Sequence, residues 1–500
     1  MRVPVYASNG VVATSQPLAA QAGLAILREG GNAVDAAIAA AVTLTVVQPG
    51  SNDIGSDLFA QVWDGSTLHG LNGSGRTPAA LTPAHMRAGD STHGWLPVTV
   101  PGAPAAWRDL HERFGQLPFE RLFTDAIRYA EEGFPVSPVV AAGWGRVQVP
   151  DLLECRAWHD IYAPRAAGEI HRNPGKGRAL RLIAGSHAGE FYHGEIADAL
   201  HDLAVQTGGL LTKADLEAHS SEWVTPMDVT YRGHRVHELP PNGQGIVALE
   251  ALGILDGLPG HGLHEQIEAT KLGFADAHAY AADNADMLHF VDKSYLEVRR
   301  KLITDRAGDP PPGDPMRGGT VYLATADSHG MMVSLIQSNY MGFGSYVVLP
   351  DYGFGLQNRG AGLSLVDGHP NVAGPGKRPF HTIIPGFLSR DDGTPVGPFG
   401  VMGGHMQPQG HVQLVLSTVD DGLDPQAALD RPRWYWQSGR TLLVEPLLEG
   451  VDDLRTRGHD VQVTTERAVF GMGQAIWRLP DGHAYIAGSE PRADGHAAAF

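Results

Sequence analysis

The chain has 500 residues, 43% of them apolar, and a formal net charge of −18. That length permits a large core built from more than one structural unit, and that charge argues against broad electrostatic binding to nucleic acid or an anionic membrane. The one cysteine, Cys155, rules out an internal disulfide, there is no CxxC or zinc-type cluster, and Met1 to Tyr6 holds no signal-peptide core, so a soluble cytoplasmic protein is expected.

Gly10 to Thr14 reads as a strand, and Ser15 with Pro17 starts a helix that runs to Arg28 with Leu18, Ala22, Leu24 and Ala25 at helical spacing. Gly30-Gly31 ends it. Asn32 caps the next helix, Ala33 to Val47, with Asp35 in the first turn where the helix dipole favours an anion. That helix is apolar nearly all round and is expected to be buried. Its longest apolar run, Ala36 to Val47, is too short to span a bilayer. Leu58 to Trp63 and Thr67 to Asn72 read as strands, and Asn72 to Pro78 as a loop of small residues around Arg76. Amphipathic helices run from Pro101 to about Ala130. Residues 140–235 look mainly helical and end in a strand pair, Val229 to Tyr231 with Val236 to Glu238, around Arg232-Gly233. Pro240 to Gly245 precedes one helix, and Glu265 to Ala282 forms another.

Asp309 to Pro315 carries prolines that neither a helix nor a central strand tolerates, so it reads as a long loop. It leads to Gly318-Gly319-Thr320, where a β-branched and aromatic run begins. Asp327 to Gly330 is a hairpin turn, and Met331 to Tyr340 is the returning strand. A cut between Gly319 and Thr320 would leave Thr320 with a free amine at the mouth of a sheet. A threonine hydroxyl is a poor nucleophile, but its own α-amine, with a reference pKa of about 8, is a suitable base at neutral pH. The plain alternative is a Gly-Gly loop before an ordinary strand.

Beyond Thr320 the chain turns strand-rich: Thr382 to Leu388, Gly397 to Val401 and Val461 to Thr465 read as strands, and Gln409 to Thr418 as a helix on the sheet. Two antiparallel sheets packed face to face and covered by helices fit this order, an α+β class. Rival chemistries find weaker footing. No GxSxG occurs, and Gly185-Ser186-His187-Ala188-Gly189 misses that spacing. His405 and His411 lie close in sequence, without an HExxH or a paired ligand helix. Gly471-Met472-Gly473-Gln474 is a weak glycine pair for a nucleotide site.

Several of these stretches together resemble the γ-glutamyltranspeptidase family of N-terminal-nucleophile hydrolases. They are Ala19-Ala20-Gln21-Ala22-Gly23, Gly30 to Ala37, Pro101-Gly102-Ala103, Phe191-Tyr192-His193-Gly194 and Gly208-Gly209-Leu210-Leu211. Glu268-Ala269-Thr270-Lys271, Pro375 to Pro379 and Gly403-Gly404 complete the set, in the family's order over nearly the whole chain. The resemblance implies a four-layer αββα sandwich, made as one precursor that cuts itself between Gly319 and Thr320. Residues 1–319 would be the large segment and 320–500 the small one, together forming one unit. It also implies Thr320 as nucleophile, Ser338 as the second hydroxyl beside its amine, and Gly403 and Gly404 as oxyanion donors. No cofactor and no metal are implied, and a homodimer is left open.

The departures from the family pattern bear on the substrate. Matched to the family, the arginine that grips an α-carboxylate falls on Ser74, with Arg76 two residues on. The aspartate that grips an α-ammonium falls on Gly362, and the glutamine near it on Arg359. The usual serine pair is His381-Thr382, and the usual asparagine is Tyr340. A pocket lined by Arg359, Tyr340, His381, Thr382, Ser74 and Arg76 has lost its anion and gained cations, which suits a carboxylate and not an ammonium. The expectation is an autoprocessing amidohydrolase, or an acyltransferase, acting on a small-molecule amide whose acyl half is acidic and lacks an α-amine, of oxamate or glutaryl type. The alternatives are a genuine γ-glutamyltransferase or glutathione hydrolase, and an unprocessed, non-catalytic binding homologue.

Overall fold

The computed structural model describes residues 2–308 and 319–500. Its centre is a pair of seven-stranded antiparallel sheets. In the first, the strand order is His496–Ala499, Gly10–Thr14, Gly319–Asp327, Met332–Tyr340, Asp57–Trp63, Leu68–Asn72, Glu222–Val224. In the second it is Val5–Ala7, Tyr485–Ser489, Met472–Arg478, Pro395–Met402, Gly386–Arg390, His234–Glu238, Met227–Tyr231. Each sheet interleaves strands from before and after Thr320. Tyr322, Ile336, Phe387, Met402 and Ile476 fill the space between the sheets.

Helices cover both outer faces. On the first sheet lie Pro17–Arg28 and Ala33–Val47. All fifteen residues of the second helix are buried, as its unbroken apolar composition requires. It starts on a capping box: the Asn32 side chain accepts from the Asp35 N–H while Asp35 accepts from the Asn32 N–H. On the second sheet lie Gly245–Asp256 and Met406–Val419. The expected α+β sandwich of two antiparallel sheets clothed in helices is the architecture found.

Several local expectations are corrected. Gln16, not Ser15, caps the first helix, its side chain accepting from the N–H groups of Leu18 and Ala19. The strand expected from Thr382 begins at Gly386, because the His381 backbone pairs with Asn242 and Gln244 and Pro385 has no N–H to offer a ladder. The strand expected at 461–465 is Asp460–Val463, and it runs parallel to Thr441–Val444 in a separate three-stranded sheet. The region 140–235 holds helices such as Pro174–Gly185 and Glu195–Thr207, and the strand expected at Val229 to Tyr231 is found as Met227–Tyr231, but the region also supplies the strand Glu222–Val224. The proline-rich loop expected at 309–315 lies outside the described residues.

Candidate active site

Thr320 sits on an inner strand of the first sheet, at an irregularity in the ladder. Gly319 pairs with Tyr340 and Val321 with Gln337, so Thr320 alone faces both Ser338 and Asn339. Such a bulge re-aims a side chain out of the regular pleat. Thr320 is 3% exposed and its Oγ1 is 3.0 Å from Ser338 Oγ. Ser338 in turn accepts from the Tyr340 N–H at 2.8 Å.

Arg359 enters from a short 3-10 turn, Arg359–Gly362, and is fully buried. Its Nη1 donates to Thr382 Oγ1 at 2.9 Å and its Nη2 to Ser338 Oγ at 3.4 Å, and its guanidinium carbon lies 4.1 Å from the centre of the Tyr340 ring. Nε has no partner. Burial pulls its pKa down to about 10, against the influence of Tyr340 and Asp57, so it stays a cation at neutral pH. Tyr340 itself holds a positive φ of 77°, uncommon for a bulky residue and fixed here beside the cation.

His381 and Asp57 form the floor. His381 Nδ1 accepts the Ile383 N–H at 3.3 Å, which leaves the proton on Nε2 to face Asp57 Oδ2 at 3.1 Å. Burial, and then Arg359, keep the imidazole neutral, well below its usual range. Burial pushes the Asp57 carboxyl up to about 7 against the pull of Arg359 and of the N–H groups of Gly75 and Gly102. Asp57 stands directly opposite Ser338 in the ladder. Sequence reasoning did not single it out, since an aspartate opening a strand carries no signal until register places it.

The second sheet contributes the other half of the site. Strand Pro395–Met402 ends in Gly403 and Gly404, with φ of 137° and 61°. Their carbonyls are engaged: Gly403 accepts from the Met406 N–H, and Gly404 from the Gln407 N–H and from Gln244 Nε2 at 2.9 Å. Gln244 Nε2 also donates to the Thr382 carbonyl at 2.6 Å, tying the glycine turn to the Arg359 cluster. Thr320 and Gly403 line one cavity of about 680 Å³.

The structure thus brings Thr320, Ser338, Tyr340, Arg359, Thr382 and His381 together. Arg76 is committed elsewhere: its guanidinium pairs with Asp283 at 2.5 Å and donates to the Gly376 carbonyl. Ser74 is buried and donates to Asn72 Oδ1 at 2.7 Å, while Arg378 Nε donates to its carbonyl. Neither makes a hydrogen bond to the Arg359 cluster among the described residues.

His405 and His411 do not converge as ligands. His405 stacks against Phe380, while His411 bonds to Glu238 and accepts the Val401 N–H. His264, Glu268 and His459 do converge. However, His264 Nδ1 is 2.8 Å from His459 Nε2, and Lys271 Nζ is 2.8 Å from Glu268 Oε1, so protein groups already occupy that cluster. No described helix is long and apolar enough to cross a membrane.

A family model described as Gamma-glutamyltranspeptidase matches residues 19–500. The chain is 33% identical to the Glutathione hydrolase-like YwrD proenzyme of Bacillus subtilis (strain 168), over 99% of each chain. It is also 33% identical to the Oxamate amidohydrolase proenzyme of Klebsiella pneumoniae subsp. pneumoniae, again over 99% of each. Among solved structures it is similar to cephalosporin acylase from Bacillus halodurans, with a TM-score of 0.95 and 50% identity, covering 100% of this chain and 97% of that one. Fold and likeness together define an amide hydrolase or acyltransferase of the N-terminal-nucleophile class. The chain belongs to the γ-glutamyltranspeptidase family.

Proposed function

We propose that this chain is a precursor that cuts itself between Gly319 and Thr320 and matures into a hydrolase of amides with an acidic acyl half and no α-amine. In the first step Thr320 Oγ attacks the Gly319 carbonyl carbon, the Gly319–Thr320 C–N bond breaks as an ester forms, and water then hydrolyses the ester. The product has an α-amine on Thr320. In turnover that amine takes the hydroxyl proton as Oγ attacks the substrate carbonyl, and passes it to the departing amine as the C–N bond breaks. Water then releases the acid. The backbone N–H groups of Gly403 and Gly404 are the donors for the developing oxyanion. Three relatives carry names that support this reading: two are called proenzymes, one an amidohydrolase and one an acylase.

The observation that carries the substrate class is Arg359. It is a fully buried guanidinium with no carboxylate at ion-pair distance among the described residues. A buried, unpaired cation is costly, and a substrate carboxylate on its free donors removes that cost. The position that would grip an α-ammonium is Gly362, which has no side chain. The test is to offer the purified, processed protein a glutaryl amide, oxamate and a γ-glutamyl anilide. Turnover of at least one of the first two well above the third is expected. Preference for the γ-glutamyl compound would overturn the acidic-acyl reading in favour of a glutathione-hydrolase-type activity.

A further inference from the structure

The cavity of about 680 Å³ that Thr320 shares with Gly403 does not include Arg359, Tyr340 or His381. It reaches the nucleophile without reaching the buried cation, so on the proposed function the amine half of an amide lies in it while the acyl half faces Arg359. Its walls come from parts of the chain that no motif highlighted. Helix Pro138–Trp144 supplies Val140 and Trp144, and the turn after strand Met332–Tyr340 supplies Phe343. Trp144 is 1% exposed and its indole N–H donates to the Tyr162 carbonyl at 2.5 Å. Trp144 and Phe343 have ring centres 6.1 Å apart, so this wall is rigid and aromatic.

Charged groups line the same cavity. Arg146 lies at the end of the same helical segment, and Glu466 and Arg467 come from the turn before Phe470. Arg146 Nη1 approaches Glu466 Oε1 only to 3.9 Å. Arg492 also borders the cavity, but Glu445 and Glu490 hold it. The Arg467 side chain makes no hydrogen bond or ion pair among the described residues, which leaves an uncommitted cation in the same cavity as the aromatic wall.

We infer that the leaving amine is bulky and apolar and carries a carboxylate. Its ring or hydrocarbon body lies against Val140, Trp144 and Phe343, and its acid faces Arg467 with Arg146 beside it. Ammonia, or a small neutral amine, leaves this cavity unfilled. The inference rests on the proposed role of Thr320 and concerns the other half of the same substrate.

Three glutaryl amides with alkyl amines of similar basicity test it on the processed enzyme: N-methyl, N-benzyl and N-(3-carboxybenzyl). Each step in that series is expected to raise kcat/KM about tenfold, the first from apolar burial and the second from charge pairing. In Arg467→Gln the ratio of carboxybenzyl to benzyl amide should fall below about twofold; being a ratio on one preparation, it is unaffected by partial misfolding. Equal turnover of the methyl and benzyl amides would overturn the apolar wall. A carboxylate ratio near one in the unaltered enzyme, or one that persists in an Arg146→Gln, Arg467→Gln double variant, would overturn the charge assignment. If no glutaryl amide is turned over, the acyl reading has failed instead. The same three amines on a γ-glutamyl group then read the cavity by the same ratios.

Discussion

At Arg359 two donors go to hydroxyls, one face lies on an aromatic ring, and Nε is left without a partner. Arg359→Met keeps the length of the side chain and removes the charge. It should lower kcat/KM for an acidic-acyl amide roughly 100-fold, mostly through KM, since truncating one side of a buried charge pair costs about 2–5 kcal/mol. Turnover of an amide with a neutral acyl group of the same length should change far less, and steady-state kinetics on the two substrates reads the difference. Thr320→Ser keeps a hydroxyl and should still yield two fragments on a denaturing gel, whereas Thr320→Ala should yield one band and no turnover. Thr320, Ser338 and Arg359 were legible in the sequence because a Gly-Gly-Thr junction and a family pattern mark them. Arg76 was legible only as a cation in a small-residue loop, and Asp283, distant in sequence, is what holds it. Asp57 was not legible, because its place beside His381 depends on strand register across the sheet.

At the scale of elements, the turn Gly403-Gly404 joins a central strand of the second sheet to helix Met406–Val419. A Cβ on Gly403 would stand 3.0 Å from the Gly471 Cα, at a φ of 137° that side chains rarely adopt. Gly403→Ala should therefore shift the turn and lower kcat by about 10- to 100-fold, with a smaller change in KM, because misplacing an oxyanion donor affects the transition state more than the bound substrate. Helix Ala33–Val47 was readable to its ends because its cap, its first-turn acid and its apolar run all agree. The strand after His381 was misjudged for the opposite reason: Ile383 and Ile384 look like strand residues, but Pro385 interrupts the ladder and the His381 backbone is taken by Asn242 and Gln244. The C-terminal strands Met472–Arg478, Tyr485–Ser489 and His496–Ala499 were missed, since short segments with Gly and Ala carry little period.

Over the described residues, burial holds seven histidines below their usual pKa: His171, His219, His237, His381, His405, His459 and His496. Below pH 6.5 the unfolded chain protonates them and the folded chain does not, so their stabilising contribution, complete above 6.5, is lost as pH falls. Asp35, Asp57, Glu238 and Glu250 are held above their usual pKa by burial and act in the opposite sense, their contribution being lost as pH rises through the folded values. Seven against four leaves a net loss of stability on acidification from pH 6.5 to 5.5, so the urea midpoint should fall between them. Urea midpoints at the two pH values check it. The sheets interleave strands from both sides of Thr320, so two fragments joined at that point would stay associated through a common core. On the proposed function, one broken peptide bond makes the catalyst. Denaturing mass spectrometry of active protein quenched during turnover of a glutaryl amide tests it most directly. Fragments of residues 1–319 and 320–500 are expected, with the acyl adduct on Thr320 of the smaller one. Full activity from an uncut chain, or an adduct on any other residue, would contradict it.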